Sequence, residues 1–233
     1  MPRSRFLALL LALPAIAGRA GAQGFEGTIT MTFASTSGGH SYGVSARIAT
    51  KGDRTVTTSV LGSSAGAPAG AEVRTIIDRK ANTVTVLVAT PTGGVSTRGL
   101  VTVTSLSDTS SIGGGSADTH PDIRKLGTSQ TIAGVSCDDY EIKEERTTPI
   151  SACITTALGA FVFPPSGRGM MGGPGSASPG WAKAFGGKPG FPLKVWSTDG
   201  HIALQVIAID KTPVADSVFA IPEGYVSWPG GGG

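Results

Sequence analysis

Residues 128–156, "TSQTIAGVSCDDYEIKEERTTPISACITT", contain both cysteines of the chain, Cys137 and Cys153. Apolar and polar residues alternate on either side of a charged centre, which is the pattern of two antiparallel strands in a hairpin. When Cys137 is placed opposite Cys153, Tyr140 falls opposite Ile150. In that register the apolar side chains share one face, and the cysteines lie on the other, polar face. The stretch therefore predicts an antiparallel sheet built from short hairpins.

The two cysteines could be a structural disulfide, a metal site, a redox pair or a nucleophile with a spare thiol. Opposed residues of an antiparallel pair have Cα atoms about 4.5–5.5 Å apart, a separation that a disulfide accepts. A metal site needs further ligands, and His40, His120 and His201 have no ligand spacing with the cysteines. A Cys-x-x-Cys redox motif is absent. The spacing predicts a Cys137–Cys153 disulfide, with the other three roles left as alternatives.

The N-terminal segment, 1–22, has the layout of a secretory signal peptide. Arg3 and Arg5 precede an apolar run over 6–17, and a small-x-small motif ends at Ala22. The run is too short to span a bilayer. No cysteine follows the expected cleavage point, which excludes a lipid anchor there. We expect cleavage after about Ala22 and a periplasmic or secreted mature protein, in a compartment where disulfides persist.

The charge balance excludes two classes of partner. The chain has 19 Lys and Arg against 16 Asp and Glu, and three of the arginines, Arg3, Arg5 and Arg19, lie in the predicted signal peptide. The remainder is formally neutral and carries no basic stripe. A nucleic-acid binder or a polybasic membrane patch requires such a stripe. A later run of about 18 apolar residues is also absent, so we expect no integral membrane span.

Alternation continues along the rest of the chain. In "GTITMTF" (27–33), Ile29, Met31 and Phe33 alternate with threonines, which predicts a strand with one face toward water. "AEVRTIID" and "NTVTVLVA" predict a hairpin, as do the two halves of "FPLKVWSTDGHIALQVIAID". Low charge with many Val and Thr favours sheets. We predict one mainly β domain, residues 23–228, with about ten antiparallel strands and one or two short helices.

Glycine-rich stretches without periodicity predict loops near 107–122 and 163–180, and residues 229–233 predict a disordered tail. One helix is predicted over 178–185. Ser178 is a suitable N-cap, Pro179 fits the first helical position and Gly186 can end the helix.

Motifs for catalysis are weak. A His-Pro-Asp tripeptide at 120–122 lies in a predicted loop, and no Gly-x-Ser-x-Gly stretch is present. Asp138, Asp139 and Glu141 could form a weak cation site, but Ca²⁺ prefers six to eight converging oxygens, and a solvated strand face is the simpler interpretation. The sequence predicts no catalytic residue, no metal and no cofactor. A hydrolase with a dispersed Ser-His-Asp triad remains an alternative.

Several stretches occur together in a familiar order: "FEGTITMT", "IIDRKANTVTVL", "GTSQTIAGVSCDDYEI", "GFPLKVWSTDG" and "DSVFAIPEGY". In this order they resemble the exported bacterial family labelled domain of unknown function 4412. That family is similar to the LolA/LppX-like superfamily of lipoprotein carriers. The resemblance implies a curved antiparallel half-barrel whose apolar concavity receives a lipid or a lipoprotein. It implies no catalytic residue.

These observations predict a non-enzymatic binding protein that is a monomer and holds an acyl chain or another hydrophobic group on one face of a curved sheet. The predicted ligand-binding residues are Ile29, Met31, Phe33, Val86, Trp181 and Phe185. A structural or envelope-interaction protein is the alternative. In that case Trp181 and Phe185 fill the cup themselves, and no small ligand binds.

Overall fold

A computed structural model describes residues 24–37, 40–60, 72–89, 99–105, 122–143, 148–159 and 190–227. The predicted signal peptide, helix, C-terminal tail and loop at 163–180 lie outside these residues. So does the predicted loop at 107–122, except for Asp122, where a strand begins. Within the described ranges, no helix has the length and apolar character to cross a membrane.

Twelve strands and one short 3-10 helix make up the described part of the chain. The strands are β1 (Gly27–Ser37), β2 (His40–Lys51), β3 (Arg54–Val60), β4 (Glu72–Asp78), β5 (Thr83–Ala89), β6 (Gly99–Ser105), β7 (Asp122–Ile132), β8 (Val135–Lys143), β9 (Ile150–Thr155), β10 (Phe191–Ser197), β11 (Ile202–Asp210) and β12 (Tyr225–Ser227). The 3-10 helix is Asp216–Phe219. The mainly β prediction is confirmed, with twelve strands in place of about ten.

All twelve strands belong to one open sheet in the order β12-β6-β5-β4-β3-β2-β1-β11-β10-β9-β8-β7. Strands β1 to β6 form one antiparallel meander, and β7 to β11 form a second. The pairing of β1 with β11 joins the two. Strand β12 is the exception, because it pairs in parallel with β6 at one edge.

The turns explain why these strands pair with their neighbours in sequence. Gly52 and Gly200 have positive φ values of 56° and 85° in the β2–β3 and β10–β11 turns. Ala133 and Gly134 between β7 and β8 both have positive φ, 49° and 77°, as a two-residue type I′ hairpin turn requires. The hairpins predicted for β4–β5 and β10–β11 are confirmed.

Burial follows the predicted pattern in β1 but not in β3 and β4 of the same meander. Ile29 and Met31 are buried and Thr32 is exposed, as one wet face predicts. In β3, however, three successive residues, Thr55, Val56 and Thr57, are all buried. Strand β4 shows the same run. Successive side chains point to opposite faces, so this part of the sheet is covered on both sides.

The buried residues form two apolar clusters. The larger is centred on β1, β8, β9, β10 and β11 and includes both cysteines. The smaller is formed by Ala49, Val56, Ile76 and Leu87 of the sheet together with Val214 and Phe219, which follow β11. The segment after β11 therefore covers one face of strands β2 to β5.

Candidate functional site

The predicted ligand-binding residues of the described strands lie on one face of the sheet, here called the apolar face. One row of paired residues begins at Ile29 in β1 and runs through Ile48, Thr57 and Thr75 to Val86 in β5. Paired residues point to the same side. Ile29 and Val86 therefore face the same way although four strand spacings separate them.

A second row extends the apolar face in the other direction. Phe33 of β1 lies opposite Leu204, and the row continues through Val195 and Ala152 to Tyr140 of β8. The pairing thus gathers side chains of both meanders on one surface. Trp181 and Phe185 lie outside the described residues.

Much of the apolar face is already covered. Ile29 is 1% exposed, and Met31 and Leu204 are 0% exposed. Phe33 and Val86, by contrast, are half-buried. The side chains of Phe33 and Val86 thus keep part of their surface exposed, whereas those of Ile29, Met31 and Leu204 have almost none.

The cysteine pairing is confirmed, but its predicted register and environment are wrong. The sulfur atoms of Cys137 and Cys153 lie 2.10 Å apart and form a disulfide. Strand pairing places Cys153 opposite Asp139, and Tyr140 opposite Ala152 instead of Ile150. The cysteines are 3% and 0% exposed. They belong to the core, because further apolar residues pack over the side of the sheet that was expected to be polar.

Asp139 is buried beside the disulfide and accepts hydrogen bonds from two neutral donors. The Thr128 hydroxyl and the Gln130 side-chain amide each donate a hydrogen bond of 2.8 Å to its carboxylate. Asp138 pairs with Lys125 at 2.6 Å, and this hydrogen bond raises the pKa of Lys125.

Glu141 pairs with Arg124 at 3.0 Å. The three carboxylates that were considered as a cation site, those of Asp138, Asp139 and Glu141, thus have separate partners. Among the described residues, no three His, Cys, Asp or Glu side chains lie close enough together to hold a metal ion.

The β10–β11 turn brings together a serine, an aspartate and a histidine without catalytic geometry. The Ser197 hydroxyl donates to Asp199, and the main-chain N–H of His201 donates to the same carboxylate at 3.2 Å. These two hydrogen bonds lower the pKa of Asp199, and the one from Ser197 has the larger effect. The Ser197 hydroxyl donates to a carboxylate and not to an imidazole, whereas a catalytic triad needs an imidazole as the acceptor. The arrangement therefore serves to close a turn.

A segment that we call the strap, residues 211–224, crosses the face of the sheet that lies opposite the apolar face. It connects β11 to β12, which lie seven inter-strand spacings apart in the sheet order. In a flat sheet that span is about 34 Å, and fourteen extended residues reach about 48 Å. The strap must therefore run mostly extended, and we call the surface that it crosses the strap face.

Two cations that flank the β2–β3 turn hold the strap through Asp216. Arg54 pairs with Asp216 at 2.5 Å and Lys51 at 3.2 Å. Hydrogen bonds from Arg54 and then Lys51 keep the pKa of Asp216 below its usual value. Lys51 also donates to the carbonyl of Val214 at 3.1 Å, and the Arg54 guanidinium lies 4.6 Å from the centre of the Phe219 ring.

A cleft of about 340 Å³ opens between the strap and the strap face. Its apolar walls include Val56 from the sheet and Pro213 and Val214 from the strap, and its polar groups include Arg47 and Arg74. Arg74 donates to the main-chain carbonyl of Val218 in the strap. The cleft thus has an apolar side and a cationic side.

The sequence predicts neither the strap nor its cleft. Alternation in β2 places Arg47, Ala49 and Lys51 on one face, and that signal is readable in the sequence. What covers the face is not readable, because the strap residue Val214, to which Lys51 donates, lies 163 residues further along the chain.

The fold and the site define a class: an open mainly β sheet with a buried disulfide, an apolar face and a C-terminal strap over the opposite face. The chain belongs to the family described as Domain of unknown function (DUF4412), whose model matches residues 25–225. The match begins just before β1 and ends at the first residue of β12, so it includes the strap. No curated protein matches the chain.

Proposed function

We propose that this chain is an exported, non-catalytic binding protein that holds an acyl chain or a similar hydrophobic group against the apolar face. The observation that carries the proposal is the apolar face itself: one row of paired residues crosses the first meander and a second row crosses the other, with Val86 half-buried on the first row and Phe33 on the second. Curvature of the sheet into a LolA-like half-barrel, and cleavage after about Ala22 on export, belong to the same proposal.

The positions of Phe33 and Val86 favour an elongated ligand. Four strand spacings and an offset of four residues along the strands separate them. In a flat sheet this corresponds to roughly 23 Å, so a compact molecule cannot contact both. Each CH₂ group moved out of water contributes about 0.8 kcal/mol, which lets an acyl chain bind with few polar contacts.

A direct test combines native mass spectrometry of protein purified from an export host with titration of a fluorescent fatty acid. Val86→Ser should weaken binding, because it removes about 1–2 kcal/mol of apolar contact, or roughly five- to thirtyfold in Kd. Val103→Ser is the matched control, since Val103 lies on the neighbouring strand β6, is 54% exposed and faces the opposite side. An equal loss of binding in both variants would contradict the proposal. So would the absence of saturable binding in the parent protein and in both variants.

The full burial of Ile29, Met31 and Leu204 supports a second candidate, a ligand-free envelope-interaction protein whose apolar face is filled by its own chain. Trp181 and Phe185 are the proposed filling residues. The double variant W181A/F185A separates the two candidates. If these side chains line a ligand site, the variant loses ligand affinity. If they fill the face, the parent protein binds no fatty acid and the variant is less stable.

A further inference from the structure

We propose that the cleft beneath the strap is a second binding site, for a small organic anion that carries an apolar body. It lies on the strap face and so goes beyond the binding proposed for the apolar face. The two sites share no side chain among those invoked, and a substitution in one leaves the other intact. Failure of either proposal is therefore distinguishable from failure of the other.

The cationic side of the cleft is built by strand register. Arg47 of β2 lies opposite Thr58 of β3, and Thr58 lies opposite Arg74 of β4. All three line the cleft. Side chains that pair across strands have Cβ atoms about 4.5–5.5 Å apart, so the two arginines flank one hydroxyl in a single row. Guanidinium groups bind carboxylate or phosphate through paired N–H donors, and the hydroxyl adds a third donor.

These two arginines have N–H donors beyond their present contacts. The hydrogen bonds from Thr212, and after them the charge of Arg47, lower the pKa of Asp210 at the cleft. The four ion pairs within the described residues involve Lys51, Arg54, Arg124 and Lys125, and neither Arg47 nor Arg74 is among them. Arg74 gives one hydrogen bond to the strap carbonyl of Val218. Since a guanidinium has five N–H donors, that bond orients Arg74 beneath the strap and leaves most of its donors available.

Two carboxylates at the cleft limit the charge that it can accept. Asp210 already accepts hydrogen bonds from the hydroxyl and the main-chain N–H of Thr212, at 2.6 and 2.9 Å. Glu72 is exposed and also lines the cleft. With two cations and two anions at the site, a polyanion gains little, whereas a single carboxylate or phosphate between the arginines is favoured.

The remaining lining indicates the rest of the ligand. Ala49 and Val56 form an apolar floor, and Pro213, Val214 and Val218 form an apolar wall. A volume of about 340 Å³ is at the lower end of small-molecule sites. A short-chain or aromatic acid matches this combination of size, apolar contact and terminal charge.

The test uses the full chain as purified, with calorimetric or NMR titration of benzoate and of its neutral analogue benzamide, both of which are too compact to contact Phe33 and Val86 of the apolar face together. We expect saturable benzoate binding with a Kd of about 1 mM or tighter and little binding of benzamide. Arg47→Gln should weaken benzoate binding about tenfold, because it removes one of the two cations without breaking any of the four ion pairs named above. Arg79→Gln, in the exposed β4–β5 turn, is the matched control and should bind as the parent does.

Arg74→Gln should weaken binding by a similar factor, but it also removes the hydrogen bond to the strap. Its melting temperature is therefore measured alongside, and Thr58→Val tests the same row without touching the strap. Binding of benzamide as tight as that of benzoate, or an unchanged Kd in Arg47→Gln, would overturn the site. Inorganic phosphate that binds as tightly as benzoate would overturn the apolar part of the assignment.

Discussion

Cys137 and Cys153 are joined by a disulfide although strand pairing sets Cys153 opposite Asp139. The bond is therefore diagonal across the β8–β9 pair, with a Cα–Cα distance of 5.3 Å. That distance lies within the range that disulfides accept. Both sulfurs are enclosed in the larger apolar cluster, so the bond fastens two strands from inside the core.

Removing the disulfide should destabilise the protein substantially. The cysteines are 16 residues apart, and closing a loop of that size is worth about 3 kcal/mol in the chain-entropy model. The double variant C137A/C153A should lower the free energy of unfolding by at least this amount, because the deleted sulfurs also leave space in the core. Urea unfolding measures the loss.

Alkylation under denaturing conditions provides the control for that experiment. The parent protein should contain no alkylatable thiol until a reductant is added. Two free thiols in the non-reduced protein would contradict the disulfide. A double variant as stable as the parent would show that the bond adds little to the fold.

Asp139→Ala should destabilise the region around the disulfide. The substitution removes the acceptor of both the Thr128 hydroxyl and the Gln130 side-chain amide, and the loss of hydrogen bonds to a charged group costs about 1–3 kcal/mol. Asp138→Ala is a matched control one residue away, since it removes only a surface ion pair with Lys125. Equal changes in the urea midpoints of the two variants would argue against a special role for Asp139.

Asp216→Asn should weaken the hold of the strap in a pH-dependent way. Arg54 and Lys51 lower the folded-state pKa of Asp216, so its contribution to stability is present above the unfolded pKa and is lost as pH falls through the folded one. Parent and variant should differ in urea midpoint at pH 7 and converge below the ordinary Asp value of 3.8. Asp53→Asn, in the exposed β2–β3 turn, is the control. A difference that persists at low pH would contradict the ion-pair explanation.

Phe219→Ala should destabilise the strap more than a substitution that removes only a charge, such as Asp216→Asn. Phe219 is 9% exposed and packs in the smaller cluster with Val56 and Leu87. Deleting a buried aromatic ring costs about 3 kcal/mol or more, which for a chain of this size lowers the melting temperature by about 6–12 °C. Ile221→Ala, at a strap position that is 48% exposed, should change it by no more than about 2 °C. Similar shifts in both variants would indicate that the strap is not packed as described.

The register of the β8–β9 hairpin shows where sequence reasoning stops. The predicted pairing of Tyr140 with Ile150 and the observed pairing with Ala152 differ by two residues. A shift of two leaves every side chain on the same face, so the alternation of apolar and polar residues fits both registers equally well. Contacts with β7 and β10 on either side decide between them.

Burial of the second face was unpredictable for a related reason. Thr55 and Thr57 alternate with Val56 in β3, which predicts one polar and one apolar face, yet all three are buried. Whether a threonine on a strand faces water depends on what the rest of the chain places over it. The same holds for Val56 on the opposite face, which is covered by the strap, a segment that begins only after β11, near the other end of the chain.

By itself, the sequence determined the mainly β class, the β4–β5 and β10–β11 hairpins and the choice of Cys137 and Cys153 as partners. These follow from alternation, turn residues and short-range spacing, which are local properties. Only the tertiary structure decided the register, the two covered faces and the alignment of Arg47 with Arg74 beneath the strap. Those features depend on which distant segments exclude water from a given face, and no local pattern encodes that choice.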